Sequence, residues 1–158
     1  SYPEGFADPE GAAAPVTIRQ DVAWGELDAL GHVIHTVFLR WFENARFAWF
    51  DRVGVAALMR ESEGAFGPIL ARIGCEYRAP VQFPDTILAS VRCVELGRSS
   101  WTLRNRIWST QRQAVVAEGD LVLVLYDYRS GRSVPVPPAI RAAIQACDGE
   151  VLHERAPG

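Results

Sequence analysis

No lysine occurs anywhere in the 158 residues; all sixteen basic residues are arginine. That excludes Schiff-base chemistry on a lysine and leaves any phosphate contact to arginine or to backbone N–H groups. Cysteine is scarce. Cys75, Cys93 and Cys147 are odd in number and widely spaced, which argues against a disulfide framework and against a zinc knuckle. Such usage suits a reducing cytoplasm. Cys75 and Cys93 fall inside expected strands and read as small apolar core residues; no motif marks either as a nucleophile. No run of 18 or more apolar residues is present, so no membrane-spanning helix is expected, and no signal-peptide pattern opens the sequence. A basic excess is also lacking. The net charge is −3, and nucleic acid is not an expected partner.

What is present suits one domain of ordinary size. The hydrophobic fraction is 49%, enough for a real core, and thirteen glycines with ten prolines suit a chain of many turns. Residues 1–15 are small, acidic and rich in proline and glycine and read as a tail, residues 16–147 as a single domain, and residues 148–158 as a C-terminal tail. Residues 16–23 are β-rich. From Thr36 to Val53 the apolar residues Val37, Phe38, Trp41, Phe42, Ala45, Ala48, Trp49 and Val53 recur with a period near 3.6, which predicts a long amphipathic helix stopping at Gly54. A short helix or loop spans Val55 to Glu63. Strands are expected at Ile69–Tyr77 (with Ile69, Ala71, Ile73, Cys75 and Tyr77 on one face), Thr86–Glu95, Trp101–Trp108 and Val115–Tyr126, and a terminal helix at Ala139–Ala146. Strand, long helix, then four strands is an α+β order, in which one helix covers one face of an antiparallel sheet.

The segment from Trp24 to Arg46, WGELDALGHVIHTVFLRWFENAR, carries the candidate chemistry. Glu26 and Asp28 stand just ahead of the expected helix, whose N-terminus offers free N–H groups and a partial positive charge. A carboxylate and N–H donors together suit attack on a carbonyl; a polar turn ahead of a helix is the plain alternative. The pattern Glu26-x-Asp28-x-x-Gly31-x-Val33, followed by Phe38, Glu43 and Arg46, resembles the signature of hotdog-fold acyl-CoA thioesterases of the 4-hydroxybenzoyl-CoA thioesterase type. Tyr77, Pro80 and Asp85, the ELGRSS turn at Glu95–Ser100 and the segment Asp127–Pro137 extend the resemblance over about residues 16 to 146. The chain departs from that pattern in having Glu26 for the more frequent Asp, Ile34 and His35 where many members have two Asn, and Phe38 for the usual Tyr.

The resemblance implies a hotdog fold, a curved antiparallel sheet wrapped around a central helix, assembled as a homodimer or homotetramer with sites between subunits. It implies an acyl-CoA substrate, with coenzyme A as part of the substrate and neither cofactor nor metal. It makes Asp28 the carboxylate that attacks the thioester or activates water, and the His35 N–H an oxyanion donor. Trp24, Glu26, Gly31, His32 and Phe38 are expected among the substrate-binding residues, Trp24 and Phe38 lining an acyl pocket, Glu26 orienting or tuning Asp28, and His32 bonding backbone groups around the turn. Arg98, Ser99 and Ser100 are expected near the nucleotide. Glu43, on the helix, is a secondary candidate for the acid, against a surface ion pair with Arg40 or Arg46. Arg72, Arg78, Arg104 and Arg106 read as polar-face residues, with contact to coenzyme A as the alternative for each. Two other readings stay open: a hotdog hydratase or dehydratase using Asp28 with His32 or His35, and a non-catalytic acyl-CoA-binding module.

Overall fold

The structure is a computed structural model that describes residues 16–148 and the backbone of residues 153–154. The strands are β1 (Val16–Asp21), β2 (Phe66–Ile73), β3 (Glu76–Tyr77), β4 (Thr86–Leu96), β5 (Ser100–Ser109), β6 (Ala114–Asp127), β7 (Arg132–Ser133) and β8 (His153–Glu154); the helices are α1 (His35–Val53), α2 (Val55–Glu61) and α3 (Pro138–Asp148). The main sheet runs β1-β4-β5-β6-β2, with β3 and β7 added on β6 and β8 on β4. Every pairing is antiparallel except β8 with β4.

α1 forms because its apolar residues recur at helical spacing. Phe38, Trp41, Phe42, Ala45, Trp49, Phe50 and Val53 all lie buried on one side of it. They face the inward residues of the sheet, among them Ile87, Ala89, Val91, Leu103, Ile107, Leu121 and Leu123, in one continuous core. The alternating burial along β5 and β6 shows the period of two that puts one sheet face toward the helix. The helix begins one residue earlier than Thr36 and ends at Gly54, as the sequence indicates. Glu43 stays on its exposed face, 3.7 Å from the Arg46 guanidinium.

A sheet must bend to wrap a helix, and irregularities in the ladders supply the bend. Register shifts fall between Leu70 and Arg72, between Cys93 and Glu95, and between Ile107 and Trp108. The first of these corrects the expectation for Ile69–Tyr77. The shift at Leu70/Arg72, with the break at Gly74 and Cys75, divides that stretch into β2 and β3. A one-residue slip exchanges the two faces of a strand, so Ala71 and Tyr77 are exposed while Ile69 and Ile73 are partly buried. Cys75 accordingly lies between strands and is only partly buried, whereas Cys93 is fully buried, its thiol 3.3 Å from the Glu95 carbonyl. Burial pushes all three thiols up, so none is an activated nucleophile. At the break, a Cβ on Gly119 would collide with the Gly74 carbonyl; only glycine allows β6 to approach the break so closely.

Asp85 locks the far side of this region. Its buried carboxylate accepts from the Ser109 hydroxyl (2.5 Å), the Thr110 hydroxyl (3.1 Å) and the Gln111 N–H (3.1 Å), tying the β5–β6 turn to the start of β4. α3 covers the other end of the core through Ile140 and Ile144 and runs one residue past the domain boundary drawn at 147. Residues 1–15, 149–152 and 155–158, which include the expected N-terminal tail, lie outside the described residues. No helix among the described residues is long and apolar enough to cross a membrane.

Asp148, at the end of α3, is buried, and its Oδ2 accepts the Trp49 indole N–H at 3.1 Å. Burial pushes its carboxyl up to about 6, against the pull of Trp49 and Arg92. A folded-state value above the unfolded value of about 3.9 means that the folded protein binds the proton more tightly. Stability from this group is therefore fully present below about pH 4 and is lost as the pH rises through about 6. Asp148→Asn keeps an acceptor for Trp49 and removes the titration. Its melting temperature should exceed that of the wild type at pH 7.5, with the gap closing towards pH 4, as followed by circular dichroism.

Candidate functional site

The turn between β1 and α1 folds upon itself. After the single 3-10 turn Trp24–Glu26, Leu27 bridges to Val33. The Asp28 N–H donates to the His32 carbonyl at 2.8 Å, and the Gly31 N–H donates to the Asp28 carbonyl at 3.0 Å. The Asp28 side chain completes the loop. Its Oδ1 accepts the N–H of Leu30 at 2.8 Å and that of His32 at 3.2 Å, the Asx arrangement that aspartate favours in turns. Oδ2 accepts no hydrogen bond among the described residues. Gly31 takes φ +76°, with open space where a side chain would be.

The loop is docked at both ends. The Val33 N–H reaches the Val81 carbonyl at 2.8 Å, and the Ile34 N–H reaches the Glu26 carbonyl at 2.9 Å. Ile34 is the N-cap of α1 with no side-chain capping bond, and His35 is the first helical residue. The His35 N–H therefore has no acceptor within the helix and no other among the described residues. His35, His32 and Asp28 line one open cleft of about 400 Å³ together with Val33, Phe38, Tyr77, Arg78, Ala79 and Pro80. Phe38 is buried at its floor, 5.0 Å from the Trp41 ring and 5.1 Å from the Tyr77 ring.

The cleft thus gathers Asp28, His32, His35 and Phe38. Gly31 sits in the loop behind them. Trp24 is 74% exposed and does not line the cleft, and Trp41 and Phe42 are plain core. Glu26 turns its carboxylate onto the Ala23 N–H at 2.6 Å, so within this chain it braces the 3-10 turn. Arg98, Ser99 and Ser100 are also elsewhere. Ser99 accepts the Leu125 N–H, while the cleft is level with Ala117, the partner of Tyr77 on β6. Eight residues of strand separate those positions, roughly 25 Å. Val33, Tyr77, Ala79 and Pro80 are the lining residues given no site role by sequence reasoning, and Arg78 was read there mainly as a polar-face residue. Their signal was weak: an aromatic beside a break in the β pattern, ahead of a proline. Among the described residues no three His, Cys, Asp or Glu side chains are grouped to hold a metal ion.

Residues 22–144 match the family model described as the Thioesterase-like superfamily. This chain belongs to that superfamily. It is similar to a thioesterase from Thermus thermophilus solved with coenzyme A and Zn, at 38% identity over 86% of this chain and 96% of that one, with a TM-score of 0.74. Two more distant likenesses speak to the fold alone. One is a 1,4-dihydroxy-2-naphthoyl-CoA thioesterase from Synechocystis, at 19% identity, covering 82% of this chain and 94% of that one (TM-score 0.73). The other is a gentisyl-coenzyme A thioesterase, at 22% identity, covering 81% and 98% (TM-score 0.70). The fold is the hotdog fold, and the enzyme is a thioester hydrolase.

Gly31 holds the enzyme's Asp28 loop in a conformation that costs other residues roughly 1–2 kcal/mol, asparagine less so. Gly31→Ala should lower unfolding free energy by about 1 kcal/mol in urea titrations. Gly31→Asn should recover much of that loss; equal losses in the two variants would show that the left-handed backbone is not the source.

Proposed function

We propose that this enzyme hydrolyses an acyl-CoA thioester to the free acid and coenzyme A, with Asp28 as the reacting carboxylate. The observation that carries the reading is the meeting, in one cleft, of a carboxylate with an unused oxygen and a helix N-terminus with an unused N–H. In the nucleophilic route Asp28 Oδ2 bonds to the thioester carbon, coenzyme A leaves as the thiolate, and water cleaves the resulting anhydride. In the general-base route Asp28 takes a proton from water as that water attacks. Both routes place negative charge on the carbonyl oxygen, where the His35 N–H is the candidate donor; one such donor is worth roughly 3 kcal/mol of the barrier. Val33, Phe38, Tyr77 and Pro80 offer apolar surface for an acyl group, aromatic or short to medium aliphatic.

No cofactor or metal enters this scheme, and coenzyme A belongs to the substrate. The Arg98–Ser100 turn lies roughly 25 Å along β6 from the level of the cleft, and we assign it to the cleft of a second copy of the chain. A homodimer, alone or paired into a tetramer, supplies that copy. β2 is an edge strand with Leu70 exposed, the kind of edge that pairs side by side. The cytoplasm is the compartment we assign. A hydratase or dehydratase is the second reading, because His32 and His35 line the same cleft as Asp28.

The test is thiol release from benzoyl-, hydroxybenzoyl-, phenylacetyl-, short-chain and long-chain acyl-CoA, with enoyl-CoA hydration followed by ultraviolet absorbance in parallel. Wild type should release thiol, and Asp28→Asn should lose at least about a hundredfold in kcat. A folded wild type that binds coenzyme A but releases no thiol would sink the thioesterase reading. Hydration of the enoyl substrate would put the second reading in its place.

A further inference from the structure

Tyr77 stands on β3, whose backbone is fixed to β6 by the pairing of Tyr77 with Ala117. The next two residues are held to the same strand, with the N–H groups of Arg78 and Ala79 both directed at the Val116 carbonyl (2.8 and 3.3 Å). From this anchored position the Tyr77 hydroxyl donates to the His35 carbonyl at 2.8 Å. Its ring stands edge-on to Phe38 (5.1 Å, 80°) and to His35 (6.5 Å, 81°).

His35 is the residue whose N–H is left open at the start of α1; that N–H lies in the Ile34–His35 peptide plane, and its place relative to the cleft depends on how the first turn of α1 is held. That plane is held by the Ile34 carbonyl, which accepts the Val37 N–H at 2.9 Å, and the peptide ahead of it by the Ile34 N–H on the Glu26 carbonyl at 2.9 Å. The plane after it carries the carbonyl that Tyr77 grips. A partly exposed tyrosine is not needed there for core packing; 46% of it remains exposed. Burial, and then the neighbouring Cys75 thiol, push the Tyr77 phenol up to about 12, so the hydroxyl remains a donor across the neutral range.

We propose that Tyr77 is a positioning residue: by holding the His35 carbonyl it fixes the first turn of α1, and with it the His35 N–H, toward the thioester oxygen. This role rests on the thioesterase reading above. A donor fixed before the reaction stabilises the developing charge without reorganising, and small displacements of catalytic groups carry large rate penalties. The hydroxyl therefore acts on the transition state through His35 and leaves ground-state binding of the substrate little changed.

Tyr77→Phe keeps the ring and removes only the hydroxyl. With the best acyl-CoA of the panel, kcat should fall roughly tenfold while KM changes by less than about twofold. Infrared spectra of carbonyl-labelled benzoyl-CoA bound to Asp28→Asn should show a lowered C=O stretch, and adding Tyr77→Phe should move it back toward the solution value. An unchanged kcat, a rise in KM alone or an unmoved C=O stretch overturns the role of Tyr77 while an active wild type leaves the thioesterase reading standing. A wild type silent on the whole panel overturns both. If Tyr77→Phe lowers the melting temperature, the C=O stretch measured well below the transition decides.

Discussion

Five rings of α1, those of Phe38, Trp41, Phe42, Trp49 and Phe50, lose nearly all contact with water inside the concave face of the sheet. Each such burial is worth about 1.5–3 kcal/mol before entropy is charged against it, and no other element concentrates so much apolar surface. The remaining architecture follows from accommodating that helix. The strands are long because they flank it, the sheet bends because it must wrap it, and α3 closes the far end over Trp49. Rings at three- and four-residue spacing also fix the rotation of α1 about its axis, since no other rotation buries them all.

That fixed rotation is what gives the candidate site its geometry. A helix locked along its length presents its N-terminus at one place, and the short turn from β1 delivers Asp28 to that place. The turn is rigid for local reasons, with the Asp28 carboxylate bonded to two N–H groups of its own loop and Gly31 in a left-handed conformation. Its docking is tertiary, through Val33 on Val81 and Tyr77 on His35. The carboxylate is thereby held by one oxygen, with the other unengaged among the described residues, and the helix contributes an N–H that nothing in the described chain uses. A candidate pair built in this way needs few side chains.

The sheet shows where local pattern ceases to be informative. The ends of β4, β5 and β6 lie within a residue or two of those expected, because each is a long run rich in apolar residues bounded by turn signals. From Ile69 to Tyr77 the alternation reads as one strand but folds as two. A bulge and the Gly74–Cys75 break change which side of the strand faces inward, and at the break Gly119 approaches closely from another strand. Arg98–Ser100 is a comparable case. The turn itself is legible in the sequence, but which end of the sheet it occupies relative to Asp28 depends on how far β4 and β5 extend.

By itself the sequence determined the central helix, its stop at Gly54, the principal strands and the loop carrying Asp28. These rest on periodicity and on hydrogen bonds between residues a few positions apart, so neighbours in sequence carry the information. The grouping of Asp28, His35 and Phe38 was legible for the same reason, since they lie within eleven positions of one another. Tertiary structure alone decided that Tyr77, forty-two residues after His35, grips its carbonyl, that Glu26 turns back to its own 3-10 turn, and that Trp24 stands outside the cleft. Those outcomes depend on the curvature of the sheet and the seating of α1, which are set by the packing of the whole core.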